Sequence, residues 1–439
     1  MADRRPILIS AYRGLARVLT PLFNLLFLLR SRSGKEIPVR KGERFGYSAT
    51  PRPEGQLVWI HAASVGETTS VLPLIERLSA ADLNVLLTTV TVTAADLAGQ
   101  RLPDGVRHQF VPYDAPGPVN RFLSHWSPDL AMVVESEVWP CMFDELRRFK
   151  TPFVLLNGRL SDRSQRAWAR LPDVARHVFR SLDLVLAQSD ADAGRFRRLG
   201  CDRVETPGNL KFDADDPSAD PAEIARLSTS AGGRPVWLAA LTHPGEDEIA
   251  VAAHVLLRRE FPDLLMILVP RHPSRADAIA DLLRGHGLEV SRRSLSGTIV
   301  RSTDVFLGDT LGEMGLYYRL APVTFLGGSF TDAGGHNPVE AALAGSALVT
   351  GPRVANARAV YKEFWNADAG ARAETGAELA DTVAALLRDP DLAARQAERA
   401  RALVAAGRGA LDKTLMLLKP FLAEPAGNPA REAAHEDGT

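Results

Sequence analysis

The stretch LVWIHAASVGE, residues 57–67, joins a continuous apolar run to the start of a helix. Its first six residues do not alternate between polar and apolar, which is typical of a parallel strand covered on both faces. Ser64 and Glu67 mark the helix start, because the Ser-x-x-Glu spacing forms a capping box. A strand that leads directly into a helix is the unit from which doubly wound α/β domains are built.

Similar apolar runs, separated by helical stretches, recur along the rest of the chain. They lie at residues 84–90, 108–111, 130–134, 153–157, 184–188, 236–240, 264–269, 288–291, 304–308, 323–328 and 347–350. We therefore predict two Rossmann-like domains, 46–212 and 235–424, that face a central cleft. Residues 213–234 lack an apolar run and are rich in Asp, Pro, Ala, Gly and Ser, which predicts a linker. Residues 425–439 are predicted to form a disordered tail.

The composition excludes several classes of function. Hydrophobic residues make up 46% and charged residues 24% of the 439 residues, which is typical of a folded protein. A net charge of -1 excludes a wholesale basic nucleic-acid footprint, so no nucleic-acid partner is predicted. The two cysteines, Cys141 and Cys201, are too few for a disulfide scaffold or a cysteine-rich metal site. There is neither a G-x-G-x-x-G nor a P-loop motif, and we predict no metal and no cofactor.

The first 45 residues differ from the rest in charge, with ten Lys or Arg against three Asp or Glu. Within them, residues 6–30 predict an apolar helix with one narrow polar stripe. The stripe comprises Ser10, Arg13, Arg17, Thr20 and Asn24. A signal peptide, a spanning helix and a helix packed on its own domain are alternatives to a helix at the membrane surface. We favour membrane-surface attachment, with the basic residues between 30 and 41 facing anionic lipid.

Three segments in the first half end predicted strands with charged residues. Glu67 is a candidate base for an acceptor hydroxyl, although capping of its own helix explains it as well. Glu135 and Glu137 directly follow the buried run 130–134, where carboxylates need partners; a surface loop bound to arginines is the alternative. Lys211, just before the predicted linker, is a candidate cation for an anionic ligand.

The second half carries donors and glycines suited to phosphate. Thr242 begins the segment THPGE, and Arg271 and His272 follow the run 264–269. Such donors beside the start of a helix are a common way to hold phosphate oxygens. Two further glycine-rich segments, GDTLGEM at 308–314 and GGHNPVE at 334–340, follow later strands. In the latter, Asn337 is a predicted N-cap, and the glycines ahead of it free backbone amides; capping alone is again the alternative.

Eight of these segments, in this order, resemble those of the 3-deoxy-D-manno-octulosonic acid (Kdo) transferases. Besides the segments at 64–67, 135–140, 242–246, 270–272, 308–314 and 334–340, they include NGRLSDRS at 157–164 and GNLKFD at 208–213. The resemblance implies a GT-B fold and transfer of Kdo from CMP-Kdo to the lipid A precursor of lipopolysaccharide, with inversion and without a metal. It also implies a location on the cytoplasmic side of the inner membrane.

The resemblance also implies roles for individual residues. Glu67 would be the proton acceptor, with Glu137 and Lys211 assisting the transition state. A larger set would contact CMP: Arg271, His272, Gly312, Glu313, Met314, Asn337, Pro338, Val339 and Glu340. Further contacts to phosphate or donor are assigned to Thr242, Gly335 and His336.

Two other functions fit the same residues. One is a GT-B transferase or epimerase that uses a different nucleotide sugar. The other is a membrane-bound relative that holds a nucleotide without turnover. Competition by CMP against UDP separates the first from Kdo transfer, and the activity of a Glu67→Gln variant separates the second.

Overall fold

The computed structural model describes residues 5–213, 216–295 and 297–423. The chain divides into two compact units, a first unit of residues 1–213 with 409–439 and a second unit of residues 214–408. Each unit is built around a parallel β-sheet with helices on both faces, as the uninterrupted apolar runs predict.

Within its described residues, the first unit contains seven parallel strands in the order β3-β2-β1-β4-β5-β6-β7. The strands are β1 Leu57–His61, β2 Asn84–Thr89, β3 Arg107–Phe110, β4 Leu130–Val134, β5 Phe153–Gly158, β6 Leu184–Ala187 and β7 Val204–Glu205. The order reverses between β1 and β4, and open α/β sheets bind ligands beyond the carboxyl ends of such neighbouring strands. Glu67 follows β1, and Glu135 follows β4.

The helices of the first unit cover both faces of this sheet. They are α1 Ile7–Leu19, α2 Leu22–Arg32, α3 Lys41–Arg44, α4 Val65–Ser79, α5 Val92–Arg101, α6 Pro116–Trp126, α7 Pro140–Phe149, α8 Asp162–Ala169, α9 Pro172–Phe179 and α10 Asp190–Leu199. One face of the sheet packs around Trp59, Phe122 and Trp126, and the other around Ile60, Ile75 and Leu78.

The predicted single helix at residues 6–30 is two helices, α1 and α2, bent by 68° at Thr20 and Pro21. Proline lacks the amide hydrogen that a continuous helix needs and clashes with the preceding turn, so the break falls where the sequence places Pro21. Among the described residues, no single helix is long and apolar enough to cross a membrane, and α1 and α2 pass that test only as a bent pair.

The second unit, over residues 216–295 and 297–408, also has seven parallel strands, in the order β10-β11-β9-β8-β12-β13-β14. The strands are β8 Val236–Thr242, β9 Leu265–Pro270, β10 Val290–Arg292, β11 Val305–Leu307, β12 Val323–Leu326, β13 Ala347–Thr350 and β14 Ala371–Arg372. The helices are α11 Pro221–Ala231, α12 Glu246–Leu257, α13 Ala276–Gly285, α14 Met314–Leu320, α15 Val339–Ala344, α16 Arg358–Asn366, α17 Gly376–Arg388 and α18 Pro390–Gly407. Here the order reverses between β8 and β12, so the loops after these two strands meet at the ligand-binding edge.

The predicted linker at 213–234 differs from the structure, which forms α11 there. Asp220 caps this helix by accepting from the amide of Ala222, and Pro221 occupies the first helical turn, where proline is well tolerated. Only Leu227 and Ala231 of the helix are buried. So small an apolar face is why the segment shows no apolar run in the sequence.

The last described helix, α19 Ala410–Leu422, packs on the first unit, whereas the sequence analysis assigned residues 235–424 to the second domain. Ala410 and Leu418 are buried beside Ile75 and Leu78 of α4. The carboxylate of Asp213 holds the start of α19 by accepting from the amides of Gly409 and Leu411, each at 2.6 Å. The predicted tail at 425–439 lies outside the described residues.

Candidate functional site

The carboxylate of Glu67 lies in the first turn of α4, at the carboxyl end of β1. Its Oε2 accepts from the amide of Ala63 at 2.8 Å, and its Oε1 accepts from the hydroxyl of Ser64 at 3.0 Å. The Ser64 hydroxyl in turn accepts from the Glu67 amide. The capping interaction anticipated from the sequence is therefore present, although Glu67 returns to the amide of Ala63 and not to that of Ser64. Capping fixes the position of the carboxylate without neutralising it.

The surroundings of Glu67 favour the protonated carboxyl. Burial, followed by repulsion from Glu135 and Glu137, raises the pKa of Glu67 to about 7, against the lowering effect of its two hydrogen bonds. A carboxylate with a pKa near neutrality is well matched to proton transfer, since it is ionised half the time and binds a proton firmly. The same physical causes define a catalytic base in many active sites.

Glu135 and Lys211 form an ion pair in the same unit, with Nζ at 2.5 Å from Oε1, and both side chains are largely buried. Two asparagines hold Lys211 in place. Asn157 accepts from the amide of Leu210 at 3.1 Å, and Asn209 accepts from the amide of Lys211 itself at 3.1 Å. Three segments that are distant in sequence thus fix one ammonium group beside one carboxylate.

Glu137 accepts a hydrogen bond from the indole Nε1 of Trp139 at 2.8 Å. Burial and the charge of Glu135 raise its pKa, while the indole bond opposes the rise. The Trp139 ring packs edge-on against His61, whose pKa is lowered to about 4 by burial. The segment at 135–140 is therefore an ordered part of the cluster and not a solvated loop.

In the second unit, Glu246 organises the loop that follows β12. Its carboxylate is fully buried and accepts from three backbone amides: His243 at 2.9 Å, Gly328 at 2.6 Å and Phe330 at 2.8 Å. Three such bonds compensate for burying the charge. Glu246 thereby ties the segment 242–246 to the glycine-rich loop at 327–330.

The glycines at 334 and 335 close the same loop. Both have positive φ, +84° and +76°, and the Gly335 amide donates to the carbonyl of Gly328 at 2.7 Å. A Cβ at Gly334 would lie 2.9 Å from Oδ1 of Asn356. The positive φ favours glycine, and a Cβ at Gly334 would also displace the Asn356 side chain, whose Nδ2 donates to the carbonyl of Ala333 at 2.7 Å. Beyond the glycines, Asn337 accepts from the amide of Val339 at 3.3 Å, but α15 begins one residue later than predicted, with Pro338 and not Asn337 at the N-cap.

Thr242 and His336 are engaged inside the second unit. The hydroxyl of Thr242 donates to Asp247 at 2.7 Å, so Thr242 supports the loop and does not present this donor to a ligand. Arg275 pairs with the same aspartate and donates to the carbonyl of Thr242. His336 stacks on His243, and burial together with that neighbour lowers its pKa to about 3, so His336 is neutral and not a cation for phosphate.

Arg271 and His272, unlike the buried Thr242, are accessible to solvent. They follow the end of β9, and the Arg271 amide donates to the carbonyl of Thr242 at 3.0 Å. Among the described residues, the Arg271 guanidinium has no carboxylate within ion-pairing distance, and the His272 ring is exposed. Of the predicted phosphate contacts, Arg271 is therefore the side chain with charge to offer an anion.

The segment 312–314 lies in the loop that follows β11 and leads into α14. Glu313 is held by Arg293 at 2.6 Å and also accepts from the hydroxyls of Thr310 and Tyr317; the bond to Arg293 lowers the pKa of Glu313. Gly312 precedes it with a φ of +81° and open space around its Cα. Glu340 lies in the first turn of α15 and is partly buried.

The sequence analysis did not identify four residues whose side chains hold the loops of these sites: Glu246, Asp247, Arg275 and Asn157. Glu246 and Asn157 stand inside quoted segments, but their hydrogen bonds join positions far apart in the chain, for which the sequence offers no spacing signal. Among the residues described, no group of three or more His, Cys, Asp or Glu side chains is arranged to hold a metal ion.

Comparison with solved structures identifies the class of fold. A putative UDP-N-acetylglucosamine 2-epimerase from Listeria monocytogenes matches 85% of this chain and 98% of its own, with a TM-score of 0.54 and 13% sequence identity. At that identity the likeness concerns the fold alone. The protein has the GT-B fold, built from two Rossmann-like domains.

Comparison of sequences identifies the family. The profile of the family described as 3-deoxy-D-manno-octulosonic-acid transferase (kdotransferase) matches residues 40–214. The Kdo transferase of Haemophilus influenzae is 33% identical over 94% of this chain and 98% of its own, and that of Bordetella pertussis is 37% identical over 95% and 99%. The chain belongs to the Kdo transferase family and is therefore a glycosyltransferase, as the ordered segments predicted.

Proposed function

We propose that the protein transfers Kdo from CMP-Kdo to the lipid A precursor during lipopolysaccharide synthesis, with Glu67 as general base. The observation that carries the proposal is the Glu67 carboxylate, fixed by Ala63 and Ser64 and given a pKa of about 7 by burial and by its acidic neighbours. Membership of the Kdo transferase family supports the identity of the sugar.

In the proposed reaction, Glu67 accepts the proton of an acceptor hydroxyl as the hydroxyl oxygen bonds to the anomeric carbon of Kdo. The bond from that carbon to the phosphate oxygen of CMP breaks, and CMP leaves with the electron pair. Attack opposite the leaving group inverts the anomeric centre. A positioned base typically contributes about 10²–10⁴-fold to the rate of such a step.

Charge on the leaving CMP needs stabilisation, since it rises as the bond breaks. In this proposal Arg271 and His272 bind the phosphate, while the segments 312–314 and 337–340 contribute to the remainder of the CMP site. The ammonium of Lys211 and the carboxyl of Glu137 assist on the acceptor side. The support for Arg271 is its guanidinium, which lacks a carboxylate partner among the described residues.

The test compares Glu67→Gln with the wild type in single-turnover transfer from CMP-Kdo to a tetraacylated lipid A precursor, with product mass as the readout. Glu76→Gln is the matched control, because Glu76 is an exposed glutamate on the same helix. We expect Glu67→Gln to lose about 10²–10⁴-fold in rate and Glu76→Gln to match the wild type. Normal transfer by Glu67→Gln refutes the base, and absence of transfer by the wild type despite CMP binding refutes the acceptor.

We also propose that the protein attaches to the cytoplasmic face of the inner membrane through α1 and α2. The support is the exposure of most of their apolar side chains, while Ile9, Arg13 and Ala16 of α1 pack on the first unit. The exposed side chains are Ile7, Leu8, Leu15, Val18, Leu22, Leu25, Leu26, Leu28 and Leu29. A row of exposed apolar side chains next to basic residues is typical of a helix that lies in the membrane interface.

Vesicle flotation tests this attachment. The double variant Leu15→Glu with Val18→Glu removes apolar contact with lipid, and Leu295→Glu with Val300→Glu is the matched control, since all four side chains are well exposed. We expect the first pair to abolish flotation and the control pair to float like the wild type. Equal flotation by both variants refutes attachment through α1.

A further inference from the structure

A cavity of about 440 Å³ lies in the first unit between α1, the start of α6 and α7. Its volume is within the range of about 300–1,000 Å³ that is usual for small-ligand sites. Four arginines line it against one carboxylate, namely Arg13, Arg17, Arg121 and Arg148 against Glu145. Neither the reaction proposed above nor the sequence segments that support it use this cavity.

The four arginines differ in whether a carboxylate within the protein already neutralises their charge. Arg13 is consumed by ion pairs to Asp144 and Glu145, and Arg148 pairs with Glu145 at 2.8 Å. Arg17 is exposed and makes no ion pair to any carboxylate that the structure describes. Arg121 donates from Nε to the carbonyl of Phe45, which leaves its two terminal nitrogens without a carboxylate partner in the described part of the chain. The cavity thus retains unneutralised positive charge.

The backbone adds to this charge. Helix α6 begins at Pro116 without a side-chain cap, and Gly117 in its first turn lines the cavity. One amide is free there, that of Gly117, because Pro116 and Pro118 have no N–H and the Val119 amide donates to the carbonyl of Ala115. The helix dipole favours an anion at this end. Guanidinium groups beside this amide are suited to the oxygens of a phosphate.

The position of the cavity points to the source of the phosphate. Arg17 belongs to the last turn of α1, the helix whose Leu15 and Val18 are exposed at 58% and 74%. A cationic cavity beside an exposed apolar surface matches a lipid, in which a phosphate headgroup adjoins acyl chains. We propose that this cavity binds the phosphate headgroup of an anionic membrane lipid; the inference rests on the attachment through α1 and α2 proposed above.

The experiment measures binding of the full-length protein to phosphatidylcholine vesicles with and without phosphatidylglycerol, for the wild type, Arg17→Gln and Arg32→Gln. Arg32 is the matched control, because it is an exposed arginine in the last turn of α2 but does not line the cavity. Inorganic phosphate is added as a competitor against chloride of equal ionic strength. Melting curves establish that both variants are folded.

We expect Arg17→Gln to lose about tenfold more affinity for the anionic vesicles than Arg32→Gln, since it removes charge-assisted hydrogen bonds in addition to diffuse attraction. Phosphate should weaken binding of the wild type more than chloride does. Equal losses of affinity for the two variants would show that only diffuse surface charge attracts the vesicles, and this result would overturn the proposed headgroup site in the cavity. Phosphate binding that depends on Arg17, with vesicle binding that does not, would assign the cavity to a free anion. Failure of the wild type to bind any vesicle would instead overturn the attachment itself.

Discussion

Replacing Glu67 by glutamine should stabilise the folded protein at pH 8 while it removes activity. The folded state raises the pKa of this carboxyl from its ordinary value of 4.5 to about 7. At about 1.36 kcal/mol for each pH unit, the ionised form costs up to about 3 kcal/mol of folding free energy above pH 7. Glutamine has the shape of the neutral carboxyl and avoids that cost.

The sign of the effect depends on pH. Above pH 7 the carboxyl is ionised in both states, and only the folded state bears the penalty. As the pH falls from 7 to 4.5, the folded state binds a proton before the unfolded state does, so the wild type gains stability and the difference from Glu67→Gln disappears. Many other groups titrate in this range, but they are common to both proteins and cancel in the comparison.

The assay is denaturant unfolding of the wild type, Glu67→Gln and the control Glu76→Gln at pH 8 and at pH 4.5, followed by a probe of the first unit such as tryptophan fluorescence. We expect Glu67→Gln to unfold at higher denaturant than the wild type at pH 8, and both to unfold together at pH 4.5. A stability difference that is the same at both pH values, or a less stable variant at pH 8, would refute the raised pKa of Glu67. The outcome matters for function, because active sites commonly contain groups whose arrangement favours catalysis but lowers the stability of the fold.

Three further outcomes follow from the described contacts. The ratio kcat/KM for Kdo transfer should fall with unit slope below about pH 7, as Glu67 becomes protonated, and a pH profile flat between 5 and 8 would contradict this. Glu246→Gln replaces one of the two oxygens that accept from three backbone amides, and it should lower stability by about 2–4 kcal/mol and weaken CMP binding in calorimetry; unchanged binding would show that the loop holds its shape unaided. Gly334→Ala should weaken CMP binding at least tenfold, whereas Gly233→Ala, a positive-φ glycine with open space around it, should not; equal effects would show that only the φ angle matters.

Much of the fold could be predicted from the sequence, because a buried parallel strand leaves a direct mark. The uninterrupted runs at 57–62 and 130–134 became β1 and β4, whose residues are all buried. Pro21 also indicates a break in the N-terminal helix, which the prediction of one long helix over residues 6–30 did not take into account. The helix α11 could be found only from Asp220 and Pro221, since its apolar face is too small to form a recognisable pattern.

The candidate site was predictable where its chemistry lies next to a strand end, and not where it depends on distant partners. Glu67 and Arg271 were found because each follows a buried run. The pairing of Lys211 with Glu135 joins residues 76 positions apart, and no local spacing reports it. The engagement of Thr242 by Asp247 was equally hidden, because a threonine beside phosphate and a threonine that braces a loop look the same in sequence.

The polar stripe of α1 shows how the same residues can support opposite orientations. In the sequence, arginines among leucines suggest a helix whose charges point to the headgroups and away from the protein. In the structure Arg13 points into the protein, at 2.7 Å from Asp144, and Asp114 accepts from the hydroxyl of Tyr12 at 3.0 Å. An arginine held by buried carboxylates helps to fix the rotation of the helix, because turning it outward would leave Asp144 and Glu145 buried with fewer partners. The same side of α1 buries Ile9 and Ala16, while Leu15 and Val18 stay exposed. Ion pairs and apolar packing together therefore hold the orientation that leaves an apolar surface outward.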